Sequence, residues 1–524
     1  MANSKYQCAK SFEMDDEVMA PNIIVVRIGG RNFDKFSEVH EFTKPNDEQA
    51  LKLMNACAKA VLEENGFHEI AFAYGFSDEY SFVFKKDTEF YQRRGSKILS
   101  LIVSLFTSKY VEKWKEFFPQ KDIRYPPSFH SRVVSCASLE VLQSYLTWRQ
   151  KDCHDKNQYA TCFWELIRRR EYDREKANGI LKNTQKQQKH DLLFKEFEIN
   201  YKELPDIFRQ GSFVLKQEVE EITKYGIDGT PVKRMRRKVT TVHSKNVTSR
   251  SFWSTHPYLL KELGEFEGDI CKIKPEFMKS FQFENKLLPS TWIVIRIDGC
   301  HFHKFSDIHD FEKPNDTNAL NLMNSCAMAV VEEFNDVVFA YGVSDEYSFV
   351  LKKDSQFYGR RPSEIVSVIT SFFTSVYVMK WKECFLLTKL KLSPYFDGRA
   401  ICYPSKEILL DYLAWRQVDC HINNQYNTCF WMLVKSGMTK NKAQEYLKGT
   451  QTQEKNKLLN RFGIDYNTLP IMFRQGSSVF WGMEESTTNE MEGVPGISVK
   501  KVVVDYINII DKSFWYDHPH ILGE

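Results

Sequence analysis

At 524 residues the chain is longer than one ordinary domain, and 42% hydrophobic with 27% charged residues is the balance of a chain that folds around a core, which excludes a disordered class. A net charge of +3 is too small to argue by itself for a nucleic-acid partner. No apolar run reads as long enough to span a bilayer, and the polar start MANSKYQCAK lacks the apolar core of a secretion signal, so an intracellular protein is expected.

Taken in order, the chain says most things twice. The first half carries AKSF (9–12), then IIVVRIGGRNFDKF (23–36), FAYGFSDEYSFVFKK (72–86), QRRGSK (92–97), TWRQKDCHDKNQYATCFW (147–164) and SFWSTHP (251–257). The second half answers with MKSF (278–281), WIVIRIDGCHFHKF (292–305), FAYGVSDEYSFVLKK (339–353), GRRPSE (359–364), LAWRQVDCHINNQYNTCFW (413–431) and SFWYDHP (513–519). The boundary falls in the charged segment GEFEGDICKIK (264–274), giving expected domains 1–265 and 270–524. Two copies are too few for a solenoid and indicate a tandem domain duplication. Of the twelve cysteines, Cys57, Cys153 and Cys162 recur as Cys326, Cys420 and Cys429 inside apolar stretches, and are expected to be reduced, buried thiols. No CxxC or His/Cys spacing suits a structural zinc. The run KRMRRK (233–238) reads as a nuclear-import signal, a phosphate-contacting patch or a solvated loop, and Arg168, Arg169 and Arg170 form a second basic run.

Within the second copy a strand is predicted over 292–298. A helix capped by Asn315 or Asp316 follows, with Met323, Ala327, Val330 and Phe334 on one face. Strands 337–342 and 346–352 flank a turn at Val343 to Asp345. Pro362 opens a second helix with Ile365, Ile369, Phe372, Val376 and Met379 on its apolar face, and RAICYP (399–404) is a short strand. The order is β-α-β-β-α-β, an α+β ferredoxin-like arrangement, followed from about Ser405 by a helical region and a β-rich tail, VKKVVVDY (499–506). In that arrangement the first and third strands are antiparallel neighbours, so Asp298 and Asp345 converge.

Two close carboxylates beside a glycine suit a hard cation with oxygen ligands, above all magnesium on a nucleoside triphosphate, and two such ions can clamp a phosphoryl displacement. Asp-Gly and Ser-Asp-Glu are also ordinary turn chemistry; their convergence favours the metal. Glu346 can assist, although strand alternation separates it from Asp345. Trp415, Arg416, His421, Asn423, Asn424 and Asn427 bring donors to aromatic surfaces, as phosphate, ribose or base contacts require. Arg360 and Arg361 open the second helix, where they can meet phosphates, or simply be solvated.

Taken together, IDGxxF, KPND (313–316), SDEYSFV, LAWRQVDCHINNQYN and FRQGS (473–477) resemble the tRNA-His guanylyltransferase family over both halves, in the duplicated form found in plants. The resemblance implies an enzyme that extends RNA in the 3′-to-5′ direction on a polymerase-like palm, placing a guanosine at the −1 position of histidine tRNA. ATP activates the 5′-phosphate, the 3′-hydroxyl of GTP displaces AMP, and two magnesium ions serve the site. Implied metal ligands are Asp298, the Gly299 carbonyl and Asp345. Implied nucleotide contacts are Asp298, Gly299, Cys300, His301, Phe302, His303, Ser344 and Asp345, with Lys313, Asn315 and Asp316. His421, Asn423, Asn424 and Asn427 match the motif for catalysis and RNA positioning. Family members are tetramers, so a dimer of tandem chains is the expected assembly.

Two departures stand out. Gly29 replaces Asp298 in the first copy, with Lys156 and Ala160 in place of Asn423 and Asn427, so the first copy is expected not to catalyse. The second copy has Glu364 where the first has Lys97, and a negative side chain there is expected to repel a triphosphate. Other readings are a general 3′-5′ repair polymerase for tRNA 5′ ends, a non-catalytic tRNA-binding protein, and a nucleotide cyclase, which leaves HINNQYN and FRQGS unexplained. The nucleus is the expected compartment, with the cytoplasm also open.

Overall fold

The computed structural model describes residues 7–13, 15–225, 231–243, 246–247, 250–265, 285–485 and 498–523. Most of the predicted boundary segment, and Ser280 and Phe281 of the repeated MKSF, lie outside these. Two compact units emerge, Asp16–Glu284 and Asn285–Glu524, and the latter also takes Met1–Asp15. This differs from the expected 1–265 and 270–524 at the N-terminus. The reason is packing: Ala9 is buried in the same core as Trp292 and Tyr403.

The first unit contains β1 (Ile23–Gly30), α1 (Glu48–Glu63), β2 (Ile70–Phe76), β3 (Glu79–Phe84), α2 (Gly95–Phe117), β4 (Phe129–Cys136), α3 (Leu139–Arg170), β5 (Ser212–Tyr225) and β6 (Pro231–Val242). The second repeats them as β7 (Trp292–Gly299), α4 (Thr317–Glu333), β8 (Val337–Val343), β9 (Glu346–Leu351), α5 (Pro362–Cys384), β10 (Phe396–Tyr403), α6 (Lys406–Lys435), β11 (Ser477–Glu485) and β12 (Ser498–Asp505). Each unit forms one six-stranded sheet, in the orders β4-β1-β3-β2-β5-β6 and β10-β7-β9-β8-β11-β12. All the neighbouring pairs are antiparallel. The tail strands thus extend the sheet that the first four strands begin.

Local chemistry sets the elements. Asp316 caps α4, accepting from the Ala319 amide at 2.9 Å, and Ser405 caps α6 through the Ile408 amide. Pro362 occupies the first turn of α5, where its missing N–H costs nothing. Alternation then divides the strands between two faces. Trp292, Val294, Tyr341 and Val350 meet Leu409, Tyr412 and Leu413 of α6 in one core. On the opposite face Phe373 of α5 packs near Phe349 and Phe396, and the Tyr347 hydroxyl donates to Asn324 of α4 at 2.7 Å. The C-terminal half of α6 builds a satellite core with Ala443, Leu447 and Leu459.

Three expectations need adjusting. Helix α5 is, by length and composition, apolar enough to cross a membrane, contrary to the reading that no run is; most of it is buried as the sheet's covering helix. KRMRRK is not a loop but part of β6, an edge strand paired with β5, where the positive side chains of Arg234, Arg236, Arg237 and Lys238 discourage edge-to-edge pairing. The strand predicted at 399–404 begins earlier, at Phe396. The six recurring cysteines are free and buried.

Candidate active site

The catalytic-looking acids of the second unit stand where three strands end together. Asp298, near the end of β7, has Glu346 of β9 as its cross-strand partner on one side and Asp397 of β10 on the other. Directly opposed residues share a face, so the three carboxylates form a row. Asp345 sits just beyond, in the turn after β8, where Ser344 adopts φ 55° and the Gly299 amide donates to the Asp345 carbonyl at 3.0 Å. Gly299 is required here, because a Cβ would come within 2.4 Å of the Phe302 ring. Burial raises the carboxyl of Asp298 well above the usual range, reinforced by Asp345, Glu346 and Asp397. Asp345 is raised too, again chiefly by burial.

Glu346 is engaged by Arg416 at 2.8 Å, with Arg296 4.0 Å away. It therefore belongs to an ion-pair network on the Asp298 face and does not line the cavity. Asp397 was missed by sequence reasoning. It lies in an unremarked Phe-Asp-Gly, and only strand register aligns it with Asp298; the usable signal was His130 at its place in the first copy.

A cavity of about 630 Å³ opens at Asp345, while Asp298, Glu346 and Asp397 stand outside its lining. Gly299, His301, Phe302 and His303 line it from the β7 end, and Ser344 and Asp345 from the turn. Lys313, Asn315 and Asp316 line another wall. Lys313 donates to Ser306 and lies 5.7 Å from the centre of the Trp431 ring. Asn423, Asn424 and Asn427 reach the cavity from α6, and Asn424 is fixed by donating to Asn315 at 2.7 Å. Trp431 and Lys440 were not anticipated, yet they line it too, Lys440 being 5.4 Å from the ring centre. The cavity thus offers an aromatic face, flanking ammonium groups and a carboxylate end, which suits a nucleotide with its phosphates toward the acids.

Four predicted residues go elsewhere. Arg360 is 4% exposed and donates to the carbonyls of Leu287, Leu288, Thr291, Lys353 and Ser355, so its guanidinium fastens a loop and has no donor left for phosphate. Arg361 is paired with Glu364 at 2.6 Å. The same pair removes the expected repulsion: Glu364 is buried and neutralised, away from the cavity lining. His421 points to Tyr466, ring centres 5.2 Å apart, and burial lowers its basicity, helped by Arg474. Cys300 lies outside the cavity lining, its amide donating to the Tyr395 carbonyl at 3.0 Å.

Among the described residues no group of three or more His, Cys, Asp or Glu side chains forms a ready metal cage. Magnesium does not need one, since it is held by one or two carboxylates together with water and substrate phosphates. Asp298 and Asp345, raised by burial and by neighbouring negative charge, fit such an ion, whose charge would relieve both.

A family model described as tRNAHis guanylyltransferase matches residues 6–137 and again 275–404, and one described as Thg1 C terminal domain matches 140–256 and 407–510. Among curated proteins, tRNA(His) guanylyltransferase 1 of Arabidopsis thaliana is 64% identical over 526 residues, covering 100% of this chain and 91% of its own. Guanylyltransferase 2 of the same plant is 61% identical, covering 100% of both. The tRNA(His) guanylyltransferase of Schizosaccharomyces pombe is 48% identical over 259 residues, 98% of its length but 48% of this chain.

Proposed function

The chain belongs to the tRNAHis guanylyltransferase family, nucleotidyltransferases that add a guanosine to the 5′ end of histidine tRNA, and we propose that it performs this addition in its second unit. The observation that carries the assignment is Asp345 lining a nucleotide-sized cavity with Asp298 close enough for Asp345 to raise its carboxyl, against Gly29 at the corresponding end of β1. Each copy is read as a ferredoxin-like polymerase palm, and the duplication as one working and one non-catalytic copy.

In this reading Asp298, the Gly299 carbonyl and Asp345 hold magnesium, which when bound neutralises phosphate charge and polarises the reacting oxygens. Trp431, Lys313 and Asn315 grip the nucleotide, and the backbone near Ser344 directs its phosphates toward the acids. Asn423 and Asn427, on the exposed side of α6, orient the RNA end. The first step joins an oxygen of the tRNA 5′-monophosphate to the α-phosphorus of ATP, with pyrophosphate leaving. In the second, the 3′-hydroxyl oxygen of GTP attacks the tRNA 5′-phosphorus and AMP leaves. Attack of water on the α-phosphorus of the added nucleotide then releases its pyrophosphate and completes the sequence. These steps need positioning and charge stabilisation more than covalent chemistry from the protein.

The test supplies 5′-monophosphorylated histidine tRNA lacking the extra guanosine, ATP, labelled GTP and magnesium. Wild type and Asp78→Asn should incorporate label, and Asp298→Asn should not. Loss in both variants would replace the second-unit site by a composite one. A truncated non-histidine tRNA in parallel separates strict specificity from general 5′-end repair. A dimer of tandem chains is part of the reading and is tested by mass in solution; nuclear entry through KRMRRK is tested by Arg236→Ala/Arg237→Ala.

A further inference from the structure

Glu13 belongs to the first copy by sequence and to the second unit by packing. The short helix Gln7–Phe12 seats Ala9 in the second unit's core, and the Phe12 ring lies 5.7 Å from Tyr403, whose hydroxyl donates to the Ala9 carbonyl at 3.5 Å. The next residue, Glu13, puts its carboxylate between two arginines on adjacent strands, at 2.9 Å from Arg296 Nη1 and in an ion pair with Arg399. Arg296 and Arg399 are cross-strand partners, two residues from Asp298 and Asp397 and on the same face. All three side chains are at least three-quarters buried, with exposures of 15% for Glu13, 14% for Arg296 and 24% for Arg399.

The first unit holds the corresponding arginine and glutamate in closer contact. There Arg27, the counterpart of Arg296, is in a direct ion pair with Glu79, the counterpart of Glu346. In the second unit Arg296 stands 4.0 Å from Glu346 and is drawn to Glu13, while Arg416 holds Glu346 at 2.8 Å as Arg149 holds Glu79 at 2.7 Å. The second copy does not carry this acid itself: the residue after Phe281, matching Glu13 after Phe12, is Gln282. We propose that Glu13 is a positioning residue for the second unit's reaction, lent by the first copy, which holds Arg296 off Glu346 and so preserves the row Asp397, Asp298 and Glu346. Without it the like charges of Arg296 and Arg399 face each other across β7 and β10, and that repulsion drives Arg296 onto Glu346, 4.0 Å away. The inference rests on the second unit being the working one, and it gives the duplicated chain a reason to keep its first copy's leading segment.

The experiment compares full-length wild type, Glu13→Gln, Glu13→Asp and the double variant Glu13→Gln/Arg399→Gln, reading label incorporation and thermal unfolding. Glu13→Gln should lower kcat about tenfold with little change in KM for GTP, since the nucleotide cavity is untouched. Removing one of the two unbalanced positive charges in the double variant should recover most of kcat, and Glu13→Asp should retain more than Glu13→Gln. The two substitutions should also be less than additive in melting temperature, a readout independent of turnover. Wild-type kcat in Glu13→Gln, or a loss that the double variant does not recover, would overturn the proposal. Wild type that fails to incorporate, or Asp298→Asn that still does, would instead overturn the second-unit reading on which it stands.

Discussion

The same three positions across the two sheets read Asp397, Asp298, Glu346 in one unit and His130, Gly29, Glu79 in the other. Around them the scaffold is kept: Asn157 donates to Asn46 at 2.7 Å as Asn424 does to Asn315, and Lys44 lies 6.0 Å from Trp164 as Lys313 lies beside Trp431. What has changed is charge. Two of the row's acids are gone, and Lys156 now lines the smaller cavity of about 280 Å³ near Phe76 and Asp78. A Cβ on Gly29 would meet the His130 imidazole at 2.8 Å, so the ring fills the room that an aspartate would need. On the proposed reading the first unit has therefore not merely lost one ligand: an imidazole and a lysine have refilled the seat that a metal would take in the second unit, with the frame left standing.

Transplanting the row tests this most severely. On the proposed reading Asp298→Gly should lower guanosine incorporation about 1,000-fold, the order expected when a metal carboxylate is removed from a phosphoryl-transfer site. Asp397→His is the milder transplant and should cost about tenfold, because Asp397 shapes the field at Asp298 from the neighbouring strand. If Asp397→His leaves the rate unchanged, the row is a feature of the sheet and the pair Asp298 and Asp345 suffices. Lys313→Ala should raise the apparent KM for GTP about tenfold with kcat nearly kept, whereas Lys44→Ala, its counterpart in the first unit, should change neither.

Much of this contrast was legible before any coordinates. The repeat, the Asp316 cap, the apolar faces of α4 and α5 and the pairing of first with third strand all follow from local spacing, which one sequence carries in full. The misreadings share a physical cause. Arg360 and Arg361 look alike as residues in a basic run, yet one spends its donors on loop carbonyls and the other on Glu364 one helical turn away. Asp397 needs strand register, and Glu13 needs knowledge of which core its segment enters. Those are long-range facts, separated by about 100 to 390 residues, that no window of sequence contains.

Rebuilding the seat in the first unit is a smaller effect and a sharper test of the refilling argument. Gly29→Asp alone should destabilise that unit through the collision with His130, with no gain of magnesium response. Gly29→Asp/His130→Asp should remove the collision and leave repelling carboxylates, so that magnesium raises the melting temperature by a few degrees, about 3 °C. A gain from Gly29→Asp alone would show that one missing ligand, and not a refilled site, separates the two units.

The smallest effect concerns Asp78, the acid the first unit keeps. Burial raises its carboxyl above the ordinary range, with Glu79 adding to the shift and Lys156 opposing it. The sign follows from linkage. With the folded value above the unfolded one, the folded state binds the proton more tightly between the two, so stability falls as pH rises from the ordinary carboxylate value of 3.8 through the folded value. Above that window the ionised group carries its full desolvation cost. Asp78→Asn, which keeps the shape and discards the charge, should stabilise the first unit at pH 7 by about 1 kcal/mol and flatten this part of its pH profile, as read by thermal unfolding. Asp345→Asn should share the stabilisation but lose incorporation, if the same desolvation cost in the second unit maintains the magnesium site proposed there. An Asp78→Asn protein that is less stable than wild type would mean that the first unit's carboxylate still holds a cation, and the two units would then differ in degree and not in kind.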